Sequence, residues 1–378
     1  PHVGELIFES IGTTGLITCL EVSQTWKVLA ENVVIKRWKG KMFEACYNGE
    51  TKVVQLLLER CNSEESGLNA KDEEGWTALM GACDERNQNV VRLLLEHSDL
   101  NVELNARDNV GETAFMIACS HENKDIVQLF LDNSERLELN ARRNDGTTAL
   151  MLACSNGQKD VVQMLFGHLQ QNIDLNARNN DGCSAFMTAC HFGRKDVVKL
   201  FLDNSERIEL NARDNDGRTA FMEACRYGRK DVVQLLLDNS KIIDFNARPN
   251  YGSTAFIAAC WNGDKDVVKL LLDHSNRIEL NARNNDGWTA FMAACWNGHK
   301  DVVKLLVDHS DGIELNARRI DGLTAFMVAC RFGHKDVVKL LLDDNSEIID
   351  LNARQNNGWT AFMLACRNGH KDVVKLLL

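Results

Sequence analysis

Residues 287–321 read GWTAFMAACWNGHKDVVKLLVDHSDGIELNARRID, and this stretch decides the fold. Thr289 suits a helix N-cap, because its hydroxyl accepts from backbone N–H groups of the first turn. Ala290, Phe291, Ala293, Ala294 and Cys295 predict a short helix whose small residues permit close approach. Asn297-Gly298 ends it. Asp301 then falls in the first turn of a second helix, where a negative charge suits the dipole. Val302, Val303, Leu305 and Leu306 give that helix its apolar positions. Ile313-Glu314-Leu315 alternates like a short strand, and Asp321-Gly322 predicts a turn into the next segment.

The next segment opens on the same phrase. A phrase built on Gly-x-Thr-Ala recurs at Gly75, Gly111, Gly146, Gly182, Gly217, Gly252, Gly287, Gly322 and Gly358, in steps of 35 or 36 residues. One such unit cannot bury its apolar face alone, so neighbouring units must stack. Residues 41–58 supply one further helix pair without a preceding hairpin, making about ten units over 41–378. The pattern resembles the ankyrin family, and the resemblance covers nearly everything after residue 40. Two departures stand out. The family's Thr-Pro-Leu-His is here Thr-Ala-Phe-Met or Thr-Ala-Leu-Met, and the units run two or three residues past the usual 33. Ala is a good helix former, so losing Pro need not weaken the helix. The missing His removes a side-chain hydrogen bond that the resemblance implies. The expected class is therefore all-α: an ankyrin-repeat solenoid of helix pairs with short β-hairpin fingers.

Composition narrows the partners. The formal net charge is −11, and phosphate contacts need clustered Lys and Arg, so nucleic acid and anionic membrane surfaces are not expected. No apolar run approaches the ~20 residues of a membrane span. Only Pro1 and Pro249 are prolines, which leaves no Pro-rich linker. The chain opens on Pro1 rather than Met and closes inside a second helix, so the natural protein is expected to extend past both ends.

Ten of the thirteen cysteines share one position of the first helix: Cys46, Cys83, Cys119, Cys154, Cys190, Cys225, Cys260, Cys295, Cys330 and Cys366. Stacked units place such positions about 8–10 Å apart, beyond the ~7 Å that a disulfide spans. With no C-x-x-C pair for zinc, they read as small buried apolar residues in a reducing compartment, the cytosol or nucleus. Asp214, Asp216 and Glu223 superficially resemble a calcium loop, but its first position is Ala212 and the segment serves equally as a hairpin tip. His299, His334 and His370 recur once per unit and read as surface residues. No phosphate loop, nucleophile elbow or linked Ser/His/Asp arrangement is present, so no enzyme, cofactor or metal is expected. The recurring Asn of each Asn-Ala-Arg or Asn-Ala-Lys segment predicts a side-chain ladder tying hairpins together. The ankyrin resemblance adds that such an Asn can be hydroxylated, and Glu279-Leu280-Asn281 fits that pattern. The arginines of the same segments, Arg107 to Arg354, form a positive ridge that reads as a solvated structural face, which Asp residues in the following hairpins and helices can pair with at little gain per pair.

Two positions vary most from unit to unit, and the resemblance places both on a concave groove. After the first-helix Cys, the later units carry Arg226, Trp261, Trp296, Arg331 and Arg367; after the hairpin Gly they carry Arg218, Trp288 and Trp359. Trp and Arg dominate interface hot spots. A protein partner is therefore expected across the units from Arg218 to Arg367, anchored near Trp261, Trp288 and Trp296, on a monomeric chain. The competing reading is that some of these tryptophans pack on the next unit.

Residues 1–40 do not repeat. Ile7-Phe8, Ile11, Leu16, Leu20, Val22-Ser23, Trp26, Leu29-Ala30 and Trp38 resemble an F-box, although the Leu that usually precedes the motif is absent. The resemblance implies docking to the Skp1 adaptor of a cullin-RING ubiquitin ligase through Ile7, Ile11, Leu16, Leu20, Val22 and Trp26, with the groove holding the substrate. The alternative is a helical cap over the first repeat and a plain scaffold protein.

Overall fold

The structure, a computed structural model, describes residues 11–19, 24–61, 63–96, 101–168, 173–239, 242–343 and 347–378, with the backbone alone at 19, 24–26 and 63. The chain forms two compact units, residues 1–180 and 181–378.

In the first unit, helices α1 (Thr13–Cys19) and α2 (Gln24–Trp38) precede four helix pairs. These are Met42–Tyr47 with Thr51–Arg60, Ala78–Asp84 with Gln88–Glu96, Ala114–Ser120 with Lys124–Asp132, and Ala149–Asn156 with Lys159–Gly167. The second unit holds six pairs among its described residues. They run from Ala185–His191 with Lys195–Asp203 to Ala361–Arg367 with Lys371–Leu377. In both units the first helices of consecutive pairs pack on one another, as do the second helices.

The local chemistry repeats as the sequence requires. The Thr289 side chain accepts from the Met292 N–H, and Thr254, Thr324 and Thr360 cap their helices in the same way. Gly298 closes its helix in the left-handed conformation, φ +71°, that the turn into the second helix needs. Behind these caps, Phe291, Ala293, Ala294 and Cys295 are buried, as are Val302, Val303 and Leu306 of the partner helix. Burying each such Val, Leu or Phe is worth about 1.5–3 kcal/mol, and small Ala and Cys residues let the first helices approach. Where the family's His is replaced, the Met80 sulfur accepts the Thr77 N–H at 3.4 Å.

One expectation needs correcting. No β-strand forms among the described residues, and Ile313-Glu314-Leu315 is a turn. The Leu315 N–H bonds to the Ile313 carbonyl, and the Glu314 N–H donates to the Asn281 side chain at 2.8 Å. A side-chain amide from the previous repeat takes the place of a strand ladder. The same amide donates to the Gly312 carbonyl at 3.0 Å, so Asn281 is engaged in both directions. Asn246 repeats this arrangement on Arg277 and Glu279.

Candidate functional site

The hairpins and first-helix C-termini of the 181–378 unit present the aromatic and arginine residues together. Two of these hairpins are wound by the side chain at their first position, Asp214 and Asn284: Asn284 Oδ1 accepts from the Asp286 and Trp288 N–H groups at 3.0 and 2.9 Å. That turn aims the residue after the Gly at the end of the neighbouring first helix. Trp288 thereby meets Trp296 edge to face at 4.9 Å and Trp261 at 6.3 Å. Trp261 stacks on Trp296 at 6.0 Å, and Trp296 lies 3.9 Å from Phe332. The three tryptophans form one cluster, but with different access to solvent. Trp288 is 8% exposed, Trp296 is half-buried, and Trp261 is 46% exposed.

Beside Trp261 opens a pocket of about 650 Å³, lined by Arg218, Arg226, Tyr227, Tyr251, Trp261 and Trp288, with Asp216, Ser253, Ile257 and Asn284 among the rest. Its two arginines differ. Arg218 is held by Asp214 (2.9 Å), Asp216 (2.8 Å) and Glu223 (3.4 Å). Burial pulls the Arg218 guanidinium down, but the carboxylates of Glu223, Asp214 and Asp216 outweigh it and hold the group above its ordinary range. Glu223, itself buried, also meets His191 at 2.9 Å. The three carboxylates that resemble a calcium loop thus surround a guanidinium. Arg226, by contrast, lies exposed over the Tyr227 ring at 5.6 Å. Farther along, Arg331 sits over Phe332 at 5.6 Å and Arg367 over half-buried Trp359 at 5.0 Å.

A larger depression of about 1230 Å³ lies in the other unit, between residues 131–142 and Arg107 and His168. It contains no Trp, Tyr or Phe, and its walls are largely the hairpin segments that tie repeats together. The aromatic pocket is the better binding site, because large flat side chains and arginines supply most interface energy.

The family model for ankyrin repeats matches residues 39–108, 100–179, 166–249, 241–319 and 311–378. The chain belongs to the ankyrin-repeat family. No curated protein matches it. Ankyrin repeats are protein-interaction modules, so this chain is a protein-binding protein. No helix among the described residues is long and apolar enough to cross a membrane.

Other expectations from the sequence meet mixed outcomes in this ankyrin protein. The described cysteines form no disulfide, and nine of the ten in the first-helix series are buried, Cys366 being exposed. Burial pushes the Cys330 thiol up to about 12 and the half-buried Cys183 thiol up to about 11, so neither is a ready nucleophile. Three arginines of the ridge pair with Glu rather than Asp. Arg107, Arg248 and Arg283 reach Glu138, Glu279 and Glu314, each 31 residues on. They also donate to the carbonyls of the next arginines, as Arg283 does to Arg318 at 2.9 Å. A further ladder is not visible in the sequence. His299, His334 and His370 each approach the last-turn carbonyl of the preceding first helix, at Trp261, Trp296 and Arg331, at 2.6–3.0 Å. Arg229, Gln158 and Asn87 occupy the same place and donate in the same way. The sequence signal is a polar side chain of varying type just before the Lys or Gln that opens the second helix.

Of the adaptor-facing candidates, Ile7, Leu20 and Val22 lie outside the described residues, as does the Trp26 side chain. Ile11 is half-buried, its carbonyl accepting from Arg37 at 3.1 Å, and Leu16 is fully buried. Ala30, Val33, Val34 and Trp38 are buried on α2, which packs on Thr51–Arg60.

Proposed function

We propose that this chain is a recognition subunit that holds a protein substrate on the groove of its 181–378 unit, with residues 1–40 attaching it to a Skp1-type adaptor of a cullin-RING ubiquitin ligase. The observation that carries the groove is the 650 Å³ pocket beside Trp261, where an exposed tryptophan, two tyrosines and an uncommitted Arg226 converge. Arg218, Trp288, Trp296, Arg331, Trp359 and Arg367 extend the same face. The adaptor reading rests on the F-box-like spacing of Ile7, Ile11, Leu16, Leu20, Val22 and Trp26.

A second reading gives residues 1–40 only the role of a cap. It is favoured by the full burial of Leu16 and by Val33, Val34 and Trp38 on the helix that covers the first repeat. The purified chain mixed with Skp1 separates the two. A stable complex that Trp26→Ala weakens supports the receptor. No complex from a well-folded chain leaves a protein-binding scaffold with a helical cap.

A further inference from the structure

The chemistry of the groove points to what it binds. Arg226, Trp261, Trp296, Arg331 and Arg367 occupy one position in five consecutive first helices, and none of the five is acidic. Nearby arginines are neutralised internally: Arg218 by Asp214, Asp216 and Glu223, and Arg319 by Asp321 at 2.9 Å. Among the described residues no carboxylate pairs with Arg226, Arg331 or Arg367. Instead, each of these three lies over a ring, Tyr227, Phe332 and Trp359, at 5.0–5.6 Å. A guanidinium held over a ring rather than on a carboxylate keeps N–H donors available, and these match a carboxylate with two parallel hydrogen bonds. On a chain of formal net charge −11, three unneutralised arginines on one aromatic face mark a local positive strip.

Resting on the proposed groove, we infer that the occupant is an extended acidic peptide segment of the partner, bearing one large aromatic or aliphatic side chain that enters the pocket beside Trp261. The spacing comes from the stack. Successive helices lie about 8–10 Å apart and an extended strand rises about 3.3 Å per residue, so one repeat matches about three peptide residues. Arg226 to Arg331 spans three repeats and Arg331 to Arg367 one more. A carboxylate opposite Arg226 therefore predicts further carboxylates about nine and twelve residues along. The apolar anchor falls about three residues from the first. A cationic ligand fits less well: Trp261 and Trp296 stack on each other with 25° between their planes, and Arg226 flanks the opening.

The test is selection of a randomised 13-residue peptide display library on the full-length chain, with an Arg331→Glu/Arg367→Glu variant in parallel. Circular dichroism first establishes that the variant is folded. The wild-type pool should carry Asp or Glu at one position and again about nine and twelve residues along, with one aromatic or Leu about three residues from the first. A synthetic peptide from that pool should bind Trp261→Ala about tenfold more weakly and the double variant more weakly still. A pool rich in Lys and Arg, or without charge bias, overturns the inference, and so does an unaltered preference in the folded double variant. Displacement of the selected peptide by a short single-stranded oligonucleotide at equal affinity overturns a peptide occupant in favour of nucleic acid. If the wild-type chain enriches no peptide at all, the groove reading fails together with this one, whatever the Skp1 experiment gives.

Discussion

Two neighbouring tryptophans at the two variable positions of the repeat do different work, because depth is set by the side chains packed around each. Trp288 is 8% exposed, covered by Trp296 at 4.9 Å and by the Arg319 guanidinium at 5.1 Å. Trp261 is 46% exposed, with the pocket open beside it. Trp288→Ala should cost about 3–5 kcal/mol in urea unfolding, since it empties a filled site. Trp261→Ala should cost less than about 1 kcal/mol there and show its effect in peptide binding instead. The reverse order of stabilities would mean that Trp261, and not Trp288, holds the cluster together. The repeat pattern places both residues correctly in one neighbourhood and cannot rank their depth. The following residue at the hairpin position makes the point again: Leu323 is completely buried where Trp359 is half-buried. Position in the repeat gives direction, whereas burial depends on the size of the side chains in the adjoining unit.

Between elements, ladders of polar side chains bind the repeats in addition to their apolar faces. At the end of the first helix, Gly263 has φ +83°, and a Cβ there would lie 2.5 Å from His299 Nδ1. Gly369 holds the same place in a later repeat with φ +74° and nothing within 4 Å. Both Gly→Ala changes incur the left-handed penalty of about 1–2 kcal/mol. Gly263→Ala must also displace His299 from the Trp261 carbonyl, so it should be worse by about 1 kcal/mol, read by thermal unfolding. Equal losses would show that the histidine ladder contributes nothing. A second ladder crosses the hairpin tips: Asn285 donates to the Asn250 carbonyl at 2.9 Å and Asn356 to the Ile320 carbonyl at 3.0 Å. Ile320 interrupts it, with no amide to offer and 70% of its surface exposed. Ile320→Asn should restore a bond to the Asn285 carbonyl and stabilise the chain by about 0.5–1 kcal/mol in the same measurement. The helix pairs, caps and hairpin Asn ladder are legible because a 35-residue recurrence repeats the same residue at the same place. The histidine ladder is not, since His, Arg, Gln and Asn all serve there. The arginine partners escape the sequence for a related reason: the pairing runs to a Glu 31 residues away, a relation that only the stacking of two repeats creates. The predicted strands do not form because three alternating residues are too few once a side-chain amide takes the place of the ladder.

Across the whole molecule, the cysteine series links fold stability to pH. Cys83, Cys119, Cys190, Cys225, Cys260 and Cys295 are wholly buried, and burial holds each thiol above its ordinary range. Cys330 is pushed up to about 12 for the same reason. An unfolded chain loses these protons near the ordinary thiol pKa of about 8.5, while the folded chain keeps them. Above that pH the unfolded state therefore binds fewer protons than the folded one, and stability falls as pH rises. Below it, both states are protonated and the full stability is present. Each thiol subtracts about 1.4 kcal/mol per pH unit between its unfolded and folded values. Several together should lower the urea midpoint sharply between pH 8 and pH 10. Cys330→Ala isolates one of them. It should cost about 1 kcal/mol at pH 7 from the missing sulfur, yet narrow the pH 8–10 loss by about 1.4–2 kcal/mol. An unchanged pH dependence in the variant would mean that alkaline unfolding starts elsewhere. If the narrowing appears, the thiols are neutral packing groups whose ionisation the fold opposes. The chemistry of this protein then lies where its repeats differ, on the aromatic and arginine face, and not where they are the same.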